Sequence, residues 1–284
     1  MSPSVAVVTD STAYLPREQV SRLGIIVVPL QVVVGGRSLD DMARLDGAAS
    51  VDDALGERAP VTTSRPAPRR FADAYDQAAA QGATGIVSIH LSAEMSGTVE
   101  AARAGAEDSP VPVDVIDSGS IAMGLGFPVL AAAGAAAAGA TRTEVADAAR
   151  RRAESIRSFF YVDTLEYLRR GGRIGAAATL LGSALMIKPI LHIRDGAIVP
   201  LEKVRTASRA IARLEDLAVE AAGTAPVEVA VQHLGAAARA EALAARLPRR
   251  IPALVEVTVV EVGSVIGAHV GPGMLGITVS FPPS

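Results

Sequence analysis

The chain has 284 residues, which is long enough for a well-buried core and more typical of two domains than of one. Half of the residues are hydrophobic, only 3% are aromatic, none is Trp, and the net charge is −3, which argues against a nucleic-acid partner. The absence of Cys excludes disulfides and cysteine nucleophiles and fits a reducing compartment. Because the first ten residues have no signal-peptide pattern, we predict a cytoplasmic protein.

Strands, polar turns and helices alternate through the first half of the chain. The pattern predicts strands over residues 5–8, 25–34, 86–91 and 113–116. Helices are expected to begin near residues 16, 68, 98 and 143, and residues 35–60 are expected to form a loop with one short helix. This alternation favours a parallel sheet with helices on both faces, in which ligands sit beyond the carboxyl ends of the strands.

One uncharged run, from Ser118 to Thr141, is long enough to cross a bilayer. The run is mostly Ala and Gly and contains Pro128, and Ala contributes little to membrane insertion. We therefore predict a buried helix packed closely against the sheet, and no stable membrane insertion.

From about Phe159 the pattern changes to that of an α+β domain. Gly-rich helical pieces are expected over residues 164–170 and 175–185, followed by a hairpin over 189–193 and 198–204. The remaining elements are expected to be helix 206–222, strand 227–232, helix 236–247, strand 254–262, a small turn and strand 275–281. We predict the α/β class with two domains: an N-terminal parallel-sheet α/β domain over residues 1–158 and a C-terminal α+β domain over residues 159–284.

Two hydroxyl-rich segments are expected in turns that lead into helices. Ser96-Gly97-Thr98 follows a strand, and a helix start offers free N–H groups and a partial positive charge to an anion. Gly97 would let a ligand approach the backbone, while the hydroxyls would donate hydrogen bonds. Thr62-Thr63-Ser64 stands in the same way before Pro66. A hydroxyl that only caps its helix would explain either segment equally well.

His269 lies in a Gly/Pro-rich stretch, where an imidazole can bond a carboxylate or simply face solvent. Residues 271–276 match the spacing GxGxxG, but the residues that follow resemble a strand rather than a helix, so we reject a dinucleotide site. The chain has no phosphate-binding GxxxxGK[ST] loop, no GxSxG motif and no metal-ligand spacing of its four His. We therefore predict no metal and no cofactor.

Short motifs along the chain together resemble the DegV family of bacterial fatty-acid-binding proteins. They follow the family's order over nearly the whole chain, and the ordered set is far more specific than any one member: Thr9-Asp10-Ser11, Thr63-Ser64-x-Pro66, Ser88-Ile89-His90-Leu91-Ser92, Ser96-Gly97-Thr98, Ile116-Asp117-Ser118, Met123-Gly124-Leu125-Gly126, Leu165 to Ile174, Lys188-Pro189-Ile190-Leu191 and His269-x-Gly271-Pro272-Gly273. The segment from Arg37 to Glu57 matches the family pattern poorly, and we place no functional residue in it.

The resemblance implies one long-chain fatty acid, such as palmitate (hexadecanoate), buried between the two domains. It implies that the hydroxyls of Thr63 and Ser96 hold the carboxylate, with His269 close by. The argument from the helix start adds Gly97 and Thr98 as predicted ligand-binding residues. In the better-understood branch of the family, the protein presents the acid to a separate ATP-dependent fatty-acid kinase and catalyses nothing itself. A C16 chain would supply on the order of 10 kcal/mol of binding energy, at about 0.8 kcal/mol per buried CH₂.

Two other functions stay open beside this lipid carrier. One is an acyl hydrolase or phosphotransferase with Ser96 as nucleophile and His269 as base. The other is a regulator whose bound lipid sets its affinity for another protein. Arg173 and Arg205 would face a partner such as the kinase, although ordinary solvated charges explain both arginines equally well.

Overall fold

The first half of the chain folds around a parallel sheet, in a computed structural model that describes residues 4–34, 37–41, 61–180 and 187–282. Its elements are, in order, β1 (Val5–Asp10), α1 (Arg17–Leu23), β2 (Ile26–Val28), β3 (Gln31–Val34), β4 (Arg37–Asp40), β5 (Val61–Ser64), α2 (Pro68–Ala80), β6 (Gly85–His90), α3 (Thr98–Ala106), β7 (Val113–Asp117), α4 (Met123–Ala137) and α5 (Arg142–Glu154). The parallel sheet has the strand order β2-β1-β6-β7, and its three strand pairs are all parallel. Helices cover both of its faces, α2 and α3 on one and α4 and α5 on the other. The predicted parallel sheet is confirmed.

A small antiparallel sheet, with the order β4-β3-β5, stands apart from the parallel one. The single strand predicted over residues 25–34 is wrong, because Pro29 has no N–H to donate and separates β2 from β3. The turn predicted at residues 62–64 is also wrong, because these residues form β5, in which Thr63 pairs with Val32 of β3. Most of the loop predicted over residues 35–60 lies outside the described residues, although residues 37–40 within it form β4.

The Ala/Gly-rich run forms the predicted buried helix, α4, and packs against the parallel sheet and α5. The small side chains permit this close approach, since a Cβ on Gly126 would lie 3.0 Å from Leu15 Cδ2 and 3.1 Å from the Ala13 carbonyl oxygen. Among the described residues, no helix combines the length and the apolar character that crossing a membrane requires.

The second half forms a larger, mixed sheet with the order β10-β9-β8-β13-β11-β12. Its elements are β8 (Arg157–Tyr161), α6 (Glu166–Arg170), β9 (Lys188–Arg194), β10 (Ala197–Val204), α7 (Ala207–Ala222), β11 (Val227–His233), α8 (Ala237–Ala244), β12 (Leu254–Glu261), α9 (Ser264–Val270) and β13 (Leu275–Ser280). Every pair is antiparallel except β11 with β12. The small turn predicted before the last strand is wrong, because that stretch contains the helix α9, and His269 lies on it. Residues 181–185 of the second Gly-rich piece lie outside the described residues, and residues 175–180 form a 3₁₀ helix.

An apolar seam joins the two halves of the chain. It contains buried side chains from the first half, such as Met95, and from the second, such as Phe160, Leu168, Val270 and Met274. The α/β class with a parallel-sheet region followed by a mixed-sheet region is thereby confirmed, while a division into domains between residues 158 and 159 stays a prediction.

Candidate functional site

A cavity with about 870 Å³ of empty space, part of it open to solvent, lies at the seam. The first half of the chain contributes Leu30, Leu91 and Met95 to its walls, and the second half contributes Phe160 and Ile198, among others. The mainly apolar lining favours an apolar ligand body over a highly charged one.

Polar side chains gather at the solvent end of the cavity, which we call the mouth and define by Thr63, Arg65, Ser96, Arg173 and His269. Arg65 and Arg173 are exposed, whereas Thr63, Ser96 and His269 are half-buried. Successive side chains of a strand point to opposite faces. In β5, Thr63 is half-buried and lines the mouth, whereas its neighbours Thr62 and Ser64 are more exposed. Three residues that the resemblance assigns to carboxylate binding thus line one cavity.

His269 is neutral near pH 7, because burial and the nearby positive charge of Arg173 lower its pKa to about 4. Its Nε2 atom lies 2.8 Å from Thr63 Oγ1. Its Nδ1 atom is buried and has no partner among the described residues. Gly171 packs directly against the ring, since a Cβ there would lie 2.0 Å from Nδ1.

The environment of His269 favours one tautomer of the neutral ring. A proton on Nδ1 would be a buried N–H without an acceptor, which is rarer and costlier than a buried lone pair. With the proton on Nε2, the ring donates a hydrogen bond to Thr63 Oγ1. The Thr63 hydroxyl hydrogen is then free to point at a ligand in the mouth.

The Ser96 hydroxyl does not cap α3, which removes one of the two explanations that the sequence left open. The N-cap position is Gly97, and no side chain bonds to the first turn of the helix there. Ser96 Oγ instead lies 2.8 Å from Thr98 Oγ1. Thr98 is fully buried, and neither it nor Gly97 is among the residues that line the cavity.

The arginines differ in their relation to the mouth. Arg173 donates from Nε to the Met95 carbonyl, 3.0 Å away, and lines the cavity. Arg65, which the sequence analysis did not single out, donates from Nη1 to the Gly97 carbonyl at 3.3 Å. Arg205 is exposed and does not line the cavity. The mouth therefore carries two fixed positive charges that favour an anion.

A cluster around Asp41 holds the helix that carries His269. Asp41 Oδ1 accepts a hydrogen bond from the backbone N–H of Val265, 2.9 Å away, and Oδ2 accepts from Ser11 and Tyr14, each at 2.9 Å. Burial is the main cause that raises the pKa of Asp41 above its usual value. Asp41 lies in the segment where the sequence analysis placed no functional residue, and no local pattern indicates a contact with a helix more than 200 positions away.

A second polar cluster contains Asp10, Ser88 and His90, the residue types of a hydrolase triad. His90 Nδ1 lies 3.1 Å from Asp10 Oδ2, and His90 Nε2 lies 2.7 Å from Ser88 Oγ. All three residues have zero exposure, and none of them lines the cavity. This cluster connects β1 with β6 in the interior of the protein, which favours a structural role.

The fold and the mouth together define a class: an α/β protein with an apolar cavity between two sheets and an anion-attracting mouth. A family model described as "Uncharacterised protein, DegV family" matches residues 4–281. The chain belongs to the DegV family, and the resemblance noted in the sequence is confirmed.

Relatives and solved structures match the chain over almost its whole length. A DegV domain-containing protein of Streptomyces coelicolor is 58% identical over 280 residues, which are 99% of either chain. A DegV family protein from Thermus thermophilus, described by its fatty-acid binding, has a TM-score of 0.91 and 31% identity, covering 98% of this chain and 99% of its own. DegV from Bacillus subtilis, described as a fatty acid binding protein, has a TM-score of 0.89 and 34% identity, covering 99% and 100%.

Proposed function

We propose that this chain binds a long-chain fatty acid and presents it, with its carboxylate in the mouth, to a separate fatty-acid kinase. The observation that supports the proposal best is the joining of an apolar cavity to hydroxyl donors at one end, Thr63 and Ser96. The two similar structures described as fatty-acid-binding proteins support the same ligand class.

The charges of the mouth suit a carboxylate. The hydroxyls of Thr63 and Ser96 would each donate a charge-assisted hydrogen bond, which contributes about 1.5–3 kcal/mol. His269 would fix the direction of the Thr63 hydroxyl without adding charge. Arg65 and Arg173 would favour the anion from a short distance. Together these groups offset the cost of removing the carboxylate from water, and the buried chain supplies the affinity.

The geometry supports a carrier over the alternative of an acyl hydrolase. A Ser–His catalytic pair needs the base within hydrogen-bond reach of the nucleophile and a third group that orients the base. Ser96 Oγ is hydrogen-bonded to Thr98 Oγ1, and His269 Nε2 is hydrogen-bonded to Thr63 Oγ1. His269 Nδ1 has no hydrogen-bond partner among the described residues. These contacts favour carboxylate binding over nucleophilic attack by Ser96 on an ester carbonyl.

Native mass spectrometry of the purified protein, with and without added hexadecanoate, tests the ligand. We expect one fatty acid per chain, either carried through purification or bound on addition. A protein that stays ligand-free in the presence of hexadecanoate would contradict the proposal.

The kinase partner needs a separate test. Arg205→Ala leaves the cavity intact because Arg205 is exposed and does not line it. We expect this variant to bind hexadecanoate as well as the unchanged protein, but to support slower ATP-dependent formation of acyl phosphate by a fatty-acid kinase. Equal rates for the two proteins would show that Arg205 does not contribute to the contact with the kinase. If neither protein supports the formation of acyl phosphate, presentation to a kinase is contradicted.

A further inference from the structure

Three polar side chains interrupt the apolar lining of the cavity on the large sheet. Ser158 of β8, Gln232 of β11 and Thr278 of β13 all line it. Along β13 the lining residues are Gly276 and then Thr278, and Thr278 is fully buried, whereas the residues of the mouth are exposed or half-buried. Because Thr278 pairs with Ser158 across the strands, both hydroxyls belong to the inner part of the cavity.

The three side chains form one hydrogen-bonded group, which we call the inner hydroxyl group. Gln232 Nε2 donates to Thr278 Oγ1 at 2.8 Å, and Gln232 Oε1 accepts from the backbone N–H of Met123 at 2.9 Å. Gln232 therefore has a structural task, since it ties the start of α4 to the large sheet. Ser158 has a single partner among the described residues, Thr278, whose Oγ1 lies 3.0 Å from its own Oγ.

A count of hydrogens leaves one hydroxyl of the Ser158–Thr278 pair without an acceptor among the described residues, in addition to the second amide hydrogen of Gln232 Nε2. If Thr278 donates to Ser158, the Ser158 hydroxyl hydrogen has no acceptor among the described residues. If Ser158 donates to Thr278, the Thr278 hydroxyl hydrogen has no acceptor among the described residues. Ser158 keeps a lone pair in both cases. Ser158 is 7% exposed and Thr278 is 0% exposed, so both hydroxyls have little access to bulk water; Ser158 lies in the wall between the apolar cavity and a second, more polar pocket.

A further hydroxyl lies against the same spot. Ser120 Oγ is buried without a partner among the described residues. A Cβ on Gly124 would lie 2.0 Å from Ser120 Oγ and 3.1 Å from Ser158 Oγ, so both hydroxyls converge on the bare backbone at the start of α4. Ser120 does not line the cavity itself, but it places a second unpartnered hydroxyl beside Ser158.

We propose that the cavity takes an acyl chain that carries an oxygen substituent, a hydroxyl or a carbonyl, remote from the carboxylate. The free hydroxyl hydrogen would donate to that oxygen, and the lone pair of Ser158 would accept from a hydroxyl substituent. An unsubstituted chain leaves both unmet. This inference rests on the proposed function, because it specifies the class of fatty acid that the same cavity binds.

Competitive binding of octadecanoate and a series of hydroxyoctadecanoates, with the hydroxyl moved stepwise along the chain, tests the inference. We expect the hydroxyoctadecanoate with its hydroxyl at one particular position to bind at least about tenfold more tightly than octadecanoate, which corresponds to about 1.4 kcal/mol. Ser158→Ala should bring the ratio of the two affinities, hydroxy acid to octadecanoate, close to one, whatever its effect on octadecanoate alone. Thr278→Val, which removes the other hydroxyl of the pair, should do the same if Ser158→Ala folds poorly.

Ser280→Ala is the matched control, because Ser280 is a fully buried serine on β13 that does not line the cavity. The control should keep the full preference. Equal or weaker binding of every hydroxy acid, or a preference that survives both Ser158→Ala and Thr278→Val, would overturn the inference while the proposed function stands. Failure of octadecanoate and of all hydroxy acids to bind would overturn both.

Discussion

Thr63 and His269 are 206 positions apart in the chain, yet their side chains meet at 2.8 Å. Two elements that the sequence did not predict bring them together, the strand β5 and the helix α9. The sequence pointed to both residues, but chiefly by family resemblance, because a hydroxyl in a turn and a His beside glycines each have a plain structural explanation. The structure adds which atoms of Thr63 and His269 meet, Oγ1 and Nε2.

Replacement of Thr63 by Val removes the hydroxyl while it keeps the shape of the side chain. We expect Thr63→Val to weaken hexadecanoate binding roughly 10- to 150-fold, the equivalent of a 1.5–3 kcal/mol hydrogen bond to a charged group. Binding of hexadecanol should fall only a few-fold, because its hydroxyl carries no charge. Titration calorimetry measures both ligands.

Thr62→Val is the matched control for this substitution, since Thr62 is the exposed neighbour of Thr63 in β5. It should leave both affinities unchanged. Equal losses for the acid and the alcohol in Thr63→Val would contradict a role of the hydroxyl in carboxylate binding.

His269 should also make the stability of the protein depend on pH. Its pKa is about 4 in the folded protein, against 6.5 for an unperturbed His side chain. Between these values the unfolded chain binds more protons, so stability falls as the pH drops from about 6.5 to 4, by at most about 1.4 kcal/mol per pH unit. The free energy of unfolding, measured by denaturant titration, should lose this slope in His269→Gln. Parallel pH profiles of the two proteins would show that His269 does not titrate in this way.

At the scale of elements, α9 depends on side chains outside its own sequence. Its N-cap, Gly263, has no side chain to bond the first turn, and Asp41 and Tyr14 bond the N–H groups of Val265 and Ile266 instead. Short length and flanking glycines make the helix look like a loop in the sequence. Helix prediction from local patterns fails here because the capping groups come from a distant segment.

Asp41→Ala should destabilise the folded protein by about 1–2 kcal/mol, as removal of a helix cap does, and should weaken hexadecanoate binding by releasing the helix that positions His269. Asp41 does not itself line the cavity. Denaturant titration and calorimetry give the two readouts.

Asp40→Ala is the matched control for Asp41→Ala, because Asp40 pairs with Arg70 at the surface, where an ion pair contributes little. It should change both quantities far less. Unchanged binding in a destabilised Asp41→Ala protein would mean that the cluster supports the fold alone.

The strand β5 shows a second limit of local patterns. Three hydroxyl residues before a proline indicate a turn, but Thr is also a good strand former, and pairing with β3 decides the outcome. Residues 35–60 separate β3 from β5 in the chain, so no short-range signal specifies their pairing. By contrast, the alternation of strand and helix was enough to predict the parallel sheet, because each unit of that pattern is local.

At the scale of the whole molecule, side-chain hydrogen bonds connect the two halves of the chain at several points. The Ser92 hydroxyl donates to the Gly196 carbonyl at 2.7 Å, and Gln232 bonds the start of α4. The sequence predicted the elements of the second half well, but not the order of strands in the large sheet. That order determines which side chains share a wall, so Ser158, Gln232 and Thr278 could not be found before the fold was known.

The crystal structure of the protein with hexadecanoate tests the central claim most directly. We expect one carboxylate oxygen within hydrogen-bond distance of Thr63 Oγ1, the carboxylate also bonded to Ser96 Oγ, and the chain running along the large sheet toward Ser158. A carboxylate bound elsewhere, or an acid with its methyl end in the mouth, would contradict the account.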